Sequence, residues 1–192
     1  IIFNKLLKKE IKKHDLIIVS DYGHGLISKK SANLICKKSK FLALNAQVNA
    51  FNIGFHTIRN YKNFNTLIIN EKEIRHEVRD KVSKLEILMK NLSKEKNVKN
   101  LIVTIGSKGV LLYQKTKNKF YSAEAYADNI VDKVGAGDTM LSLIGPCLKS
   151  NMDSDITLLI SSLAAAQSVE SMGNEYKVNK IKILKTLENI LK

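Results

Sequence analysis

Four short apolar runs constrain this chain more than any other feature: Leu16-Ile17-Ile18-Val19, Phe41-Leu42-Ala43-Leu44, Thr66-Leu67-Ile68-Ile69 and Leu101-Ile102-Val103-Thr104. Each is too short for a helix and too uniformly apolar for a strand with one wet face, so each reads as a strand covered on both sides. Helical patterns lie between and around them. They occupy 1–13, a stretch that Ser28 caps and that runs to about 38, 70 to about 79, and 82–94, and after position 136 they cover 137–148, 153–171 and 180–191. Segments 110–114 and 120–122, joined by a polar Lys-Thr-Lys-Asn turn, read as an antiparallel hairpin. Parallel strands need crossover connections, so the predicted class is α/β, with a largely parallel sheet flanked by helices on both faces.

With 192 residues and 44% apolar side chains the chain suffices for one core, and a single domain over 1–192 is expected. No apolar run approaches the roughly 20 residues a bilayer span requires, and the first residues lack a signal-peptide cleavage pattern, so a cytoplasmic location is expected. Cys36 and Cys147 sit among apolar neighbours without metal-like spacing and read as buried reduced thiols. His14, His24, His56 and His76 likewise show no metal-ligand spacing. The net charge of +14 raises nucleic acid as a partner, but the lysines are scattered along the chain with no groove-reading helix or stacking motif, which favours a solvated surface.

In open α/β sheets ligands bind beyond the carboxyl ends of the strands. The strongest chemical signal is Val134-Gly135-Ala136-Gly137-Asp138 at the start of an apolar helical run. The small residues fall where a helix leaves its first amides unpaired, which makes an anion site. Asp138 is out of place in a pure phosphate cradle and suits a base that accepts a proton from an attacking hydroxyl. Read without a ligand, the glycines shape a loop and Asp138 complements the helix dipole; the residues alone leave both readings open.

The segment Asp132-Lys133-Val134-Gly135-Ala136-Gly137-Asp138 resembles the Asp-Thr-x-Gly-Ala-Gly-Asp signature of the PfkB (ribokinase-type) carbohydrate kinases, with Lys133 where Thr is usual. That resemblance implies a ribokinase-like fold, Asp138 as catalytic base and Gly135, Ala136 and Gly137 as anion hole. Asn70-Glu71-Lys72-Glu73 is similar to the family's Asn-x-x-Glu motif, which implies that Asn70 and Glu73 position Mg²⁺ through water; as local structure the same residues make a helix cap. Thr104-Ile105-Gly106-Ser107-Lys108-Gly109 is similar to the family's Thr-x-Gly-x-x-Gly segment, implying nucleotide contacts from Thr104, Gly106 and Gly109. The small-residue stretch 161–167 followed by Met172-Gly173-Asn174 resembles the adenine-side helix and loop, with Asn174 as the nucleotide contact; it serves equally well as close helix packing.

Asp21-Tyr22-Gly23-His24-Gly25 resembles the Asp-Tyr-x-Lys-Gly segment of the heptose-phosphate kinase branch, with His24 in place of Lys. Asp21, together with Asn45 and Asn49 from the amide-rich stretch 45–52, is the candidate sugar contact. Gly23-x-Gly25 also mimics a dinucleotide fingerprint, but Ser28 stands at the third glycine position and Asn45, not an acid, ends the next strand. A Walker motif is absent. The resemblance matches the last two thirds of a family member, with the nucleotide-binding part at about 66–192 and the N-terminal strands and β lid missing. The expected function is ATP-dependent phosphorylation of a sugar or sugar-phosphate hydroxyl, with ATP and Mg²⁺ as cofactors. A monovalent cation, and a homodimer in the complete protein, are compatible with it. The alternative is a non-catalytic nucleotide-binding or interaction remnant of a kinase.

Overall fold

The computed structural model describes residues 2–47, 58–127, 129–132, 134–170, 172 and 178–190. Six strands form one sheet in sequential order: β1 (Ile17–Asp21), β2 (Leu42–Ala46), β3 (Thr66–Asn70), β4 (Asn100–Thr104), β5 (Val110–Gln114) and β6 (Lys119–Ala123). The first four are parallel, and β4, β5 and β6 are antiparallel neighbours. All four apolar runs became strands, and β2, β3 and β4 are buried as expected, most fully β2, where all five residues are buried; β1 is not covered on both faces, because it stands at the sheet edge and leaves Ile18 42% exposed. The predicted hairpin closes the sheet at its far end.

The helices sort onto the two faces. Helices α1 (Ile2–Glu10), α2 (Lys29–Lys38), α3 (Glu71–Val78) and α4 (Leu85–Lys96) belong to one layer; Ile35, Ile74, Met89 and Leu92 from it pack with Leu44, Leu67, Leu101 and Val103 of the sheet. On the other face α5 (Ala136–Lys149) and α6 (Ser154–Val169) bring Met140, Leu141, Ile144 and Leu158 against Ala43, Ile68, Ile102 and Leu112. Helix α7 (Lys180–Ile190) packs outside them, its Ile183 meeting Leu163 and Ala164.

Local chemistry explains where these helices begin. Ser28 Oγ accepts from the Ser31 amide at the start of α2, and Asp153 accepts from the Asp155 and Ile156 amides at the start of α6. Helix α5 lies unusually close to β1 and β2 because Gly145 faces Ala43: a Cβ built at Gly145 would stand 3.2 Å from Ala43 Cβ and 3.6 Å from Ile18. That close approach aims the first turn of α5 at the carboxyl ends of the first two strands. Cys36 and Cys147 are free but only half-buried, not fully buried as the sequence suggests; burial raises the pKa of both thiols.

Between α3 and α4 the chain turns around Asp80. Its carboxylate accepts from the Ser83 amide, the Ser83 hydroxyl and the Val82 amide, at 2.9, 2.7 and 2.9 Å. These bonds, the Ser83 amide foremost, hold the Asp80 carboxyl at about 2, well below the usual carboxylate range. A folded pKa below the unfolded one gives stability that is present above the unfolded value and lost as pH falls through the folded one. Asp80→Asn is therefore expected to lower the melting temperature at neutral pH, and the gap to wild type should close between about pH 4 and pH 2. A gap independent of pH would show that the Asp80 charge plays no part.

Candidate active site

Side chains alternate across a strand, so the sheet register decides which polar residues share a face. Ile18 and Ala43 face α5, and Ser20 and Asn45, two residues further along and paired in register, share that side. Asn70 and Thr104, also paired, end β3 and β4 at the same carboxyl edge. Val19 and Ala46 point into the opposite core, and Asp21 goes with them.

Helix α5 starts above this edge. Gly135 precedes it in a left-handed conformation, φ 86°, which a β-carbon would strain, and it lets the chain enter the helix sharply. Having no side chain to cap the helix, Gly135 leaves the leading amides of Ala136 and Gly137 available. The space over Gly137 is open: beyond its chain neighbours and the backbone of its own helix, no atom lies within 4 Å of where a Cβ would stand. Unpaired amides, a positive helix end and open space together suit a phosphate.

Asp138, in the first turn of α5, is held by two hydroxyls of the β1 end. Ser20 Oγ donates to its Oδ1 at 2.7 Å and Tyr22 Oη donates to its Oδ2 at 2.8 Å. Tyr22 ionises less readily than an ordinary phenol, chiefly because its hydroxyl donates to Asp138; the Ser20 hydroxyl partly offsets this. Neither hydroxyl stands out in the sequence. The signal was present, since positions 20 and 22 fall on one face of a strand continuation and position 21 on the other, but the resemblance drew attention to Asp21.

Asp21 is buried away from Asp138. Tyr61 Oη donates to its Oδ2 at 2.6 Å and the Gly23 amide to its Oδ1 at 3.0 Å, so it ties the β1 end to the segment entering β3. Burial, with the donation to Asp21 second, keeps Tyr61 a neutral phenol. Asn45 is 5% exposed, and its Nδ2 donates to the Ile68 carbonyl at 2.8 Å, which fixes the amide orientation. Its Oδ1 then has no partner among the described residues. Asn49, Asn174 and Lys133 lie outside the described residues.

Asn70 and Glu73 form a reciprocal cap at the start of α3. Asn70 Oδ1 accepts from the Glu73 amide and Glu73 Oε2 accepts from the Asn70 amide, each at 2.8 Å. With those oxygens engaged, and no cluster of three His, Cys, Asp or Glu among the described residues, an all-protein metal cage is not available. The donor set fits Mg²⁺ in its usual enzymatic form, mostly hydrated and shared with substrate phosphates.

Beyond Thr104 the chain makes one 3-10 turn, Gly106–Lys108, before β5. Gly106 is exposed in a left-handed conformation with open space around it, compatible with a ligand lying on the backbone. Gly109 is buried, at φ 89°, pressed against the Ala123 carbonyl and Glu124 backbone; its place is in the turn, not at an open surface. A cavity of about 690 Å³ lies on the other side of the sheet, bordered by Arg59, Glu77, Glu95 and Lys96. Buried Lys96 ion-pairs there with Glu77 and Glu95, apart from the Asp138 edge.

Residues 12–181 match the profile of the pfkB family carbohydrate kinases. The bifunctional protein HldE of Campylobacter concisus is 31% identical over 162 residues, covering 82% of this chain and 33% of that protein. That of Campylobacter curvus is 29% identical, covering 86% and 35%. The chain thus spans about a third of the length of the curated relatives it matches. Among solved structures, Escherichia coli phosphofructokinase-2 in complex with potassium superposes with a TM-score of 0.77 at 12% identity, covering 98% of this chain and 62% of that one. Arabidopsis thaliana ribokinase complexed with ribose and ATP gives 0.75 at 20% identity, covering 93% and 57%. The fold is therefore ribokinase-like. Among the described residues no helix is long and apolar enough to cross a membrane.

Proposed function

The chain belongs to the pfkB family of carbohydrate kinases, and from that membership we propose that it serves ATP-dependent phosphorylation of a hydroxyl on a sugar or sugar phosphate. The observation that carries this reading is Asp138 standing in the first turn of α5 beside the free amides of Ala136 and Gly137. A base and an anion hole are thereby presented side by side at the carboxyl edge of the sheet. Asp138 accepts the proton of the acceptor hydroxyl while that oxygen bonds to the γ-phosphorus of ATP. The bond from the γ-phosphorus to the β,γ-bridging oxygen breaks, and ADP leaves.

Gly135 shapes the turn, and the Ala136 and Gly137 amides with the helix dipole stabilise charge on the transferred phosphoryl oxygens. Thr104 and Gly106 line the nucleotide side, and Asn174 is the further nucleotide contact that the likeness of Met172-Gly173-Asn174 to the family implies. Gly109 holds the 3-10 turn that carries Gly106. Asn70 and Glu73 would hold Mg²⁺ through its waters, and the ion would supply neutralisation of phosphate charge. We assign the nucleotide-binding part to about 66–192. On the acceptor side the orphan Oδ1 of buried Asn45 favours a hydroxyl-bearing ligand, since a buried acceptor without a donor is costly. Asn49 lies close by in sequence, and Asp21 supports the edge through Tyr61.

Among acceptors a heptose phosphate is proposed, on the likeness of Asp21-Tyr22-Gly23-His24-Gly25 to that branch. The test measures ADP release by the full-length protein with ATP and Mg²⁺ over a panel of sugars and sugar phosphates. Acceptor-dependent ADP release with formation of a phosphorylated sugar is expected, largest with a heptose phosphate. Nucleotide binding without turnover on any sugar would instead identify a non-catalytic remnant.

A further inference from the structure

An aspartate in the first turn of a helix ordinarily folds back onto the helix's own free amides or complements its dipole. Asp138 keeps its place in the first turn but does not fold back: each of its two oxygens takes a hydroxyl from the end of β1, 118 and 116 positions away in sequence. We propose that Ser20 and Tyr22 are positioning residues that hold the Asp138 carboxylate off the amides of Ala136 and Gly137 and fix its plane toward the acceptor hydroxyl. This rests on Asp138 being the base.

Three observations support the assignment. One donor on each oxygen leaves each with a further lone pair, so the carboxylate can be clamped and still accept a proton. The clamp also keeps the anion hole empty of the protein's own anion, which would otherwise compete with the phosphoryl group for the same amides. Finally, the two hydroxyls differ in anchorage: Ser20 is inside β1, whereas Tyr22 follows it and is 44% exposed. Ser20 is thus the fixed support and Tyr22 the adjustable one. The raised pKa of Tyr22, caused first by its bond to Asp138, is consistent with a phenol committed to donating.

The test uses the full-length protein, with steady-state kinetics and thermal melts on Ser20→Ala, Ser20→Thr, Tyr22→Phe and Asp138→Asn, and on the double variant Ser20→Ala/Asp138→Asn. Ser20→Ala and Tyr22→Phe are each expected to lower kcat about ten-fold with KM for ATP and melting temperature unmoved, because a misaimed base costs rate and not nucleotide binding. Ser20→Thr, which keeps the hydroxyl, should recover the loss. In the Asp138→Asn background Ser20→Ala should add no further loss, since it acts through a base already removed. Wild-type kcat in both single variants overturns the proposal, as does a full additional ten-fold loss in the double variant, which would put Ser20 on the substrate itself. Tyr22→Phe, at an exposed position, keeps the test decisive if Ser20→Ala does not fold. Wild-type turnover in Asp138→Asn alone is a separate result, and it removes the base assignment on which this inference stands.

Discussion

Asp138→Asn is expected to lower turnover by about 10²- to 10⁴-fold while ATP still binds, the range typical of losing a positioned general base. Asn matches Asp in shape, and its Oδ1 can still accept one of the hydroxyls that now reach the carboxylate from Ser20 and Tyr22. The other hydroxyl can turn to accept from the Asn amide, so neither is left stranded and the fold should survive. What Asn cannot do is take a proton from the acceptor hydroxyl. Turnover is measured under saturating substrate and ATP affinity by calorimetry; wild-type turnover would exclude Asp138 as the base. Loss of ATP binding in step with turnover would mean that the substitution collapsed the anion hole instead.

The second large effect is on stability. Gly109→Ala is expected to cost about 3 kcal/mol or more, combining a backbone conformation that only glycine adopts easily with a direct clash. At φ 89° and ψ −137° a side chain is strained before any contact is made. The added Cβ would land on the Ala123 carbonyl and the Glu124 backbone, which cannot rotate aside as a side chain could. The adjoining pair Val110 and Ala123 would have to part. A loss of that size is a large share of the roughly 5–15 kcal/mol that holds a domain folded, and should lower the melting temperature by about 6–12 °C. Gly106→Ala is the control: it shares the positive φ, at 60°, but meets open space, so it should cost only about 1–2 kcal/mol. Equal losses at the two positions would refute the clash.

Much of the architecture was legible because it rests on local rules. The run Thr66 to Ile69 had to be a covered strand, and Asn70 followed three residues later by Glu73 is itself a helix cap, whatever else the pair does. Boundaries moved by at most three residues, as at β1, where the strand extends through Ser20 and Asp21, polar residues that an apolar-run criterion excludes. The turn at Gly109 was also readable as a turn, but not its burial against Ala123, because the returning strand β6 supplies that neighbour.

The site was legible in part for the same reason. That small residues and an aspartate open a helix at Gly135 to Asp138 is local information, since unpaired amides at a helix start follow from backbone geometry alone. Local too is the alternation of apolar strands and helices that places such a helix start near a sheet edge. What Asp138 touches depends on how distant segments pack. Ser20 and Tyr22 reach it across more than a hundred residues of chain, through the close packing of Gly145 on Ala43 that brings α5 down onto β1 and β2. The two-residue alternation of β1 turned Asp21, the acid that stood out in the sequence, to the opposite face and into the hydroxyl of Tyr61. Local rules fix which residue begins an element; which side chains meet across the sheet is set by register and packing depth, and no stretch of sequence carries these alone.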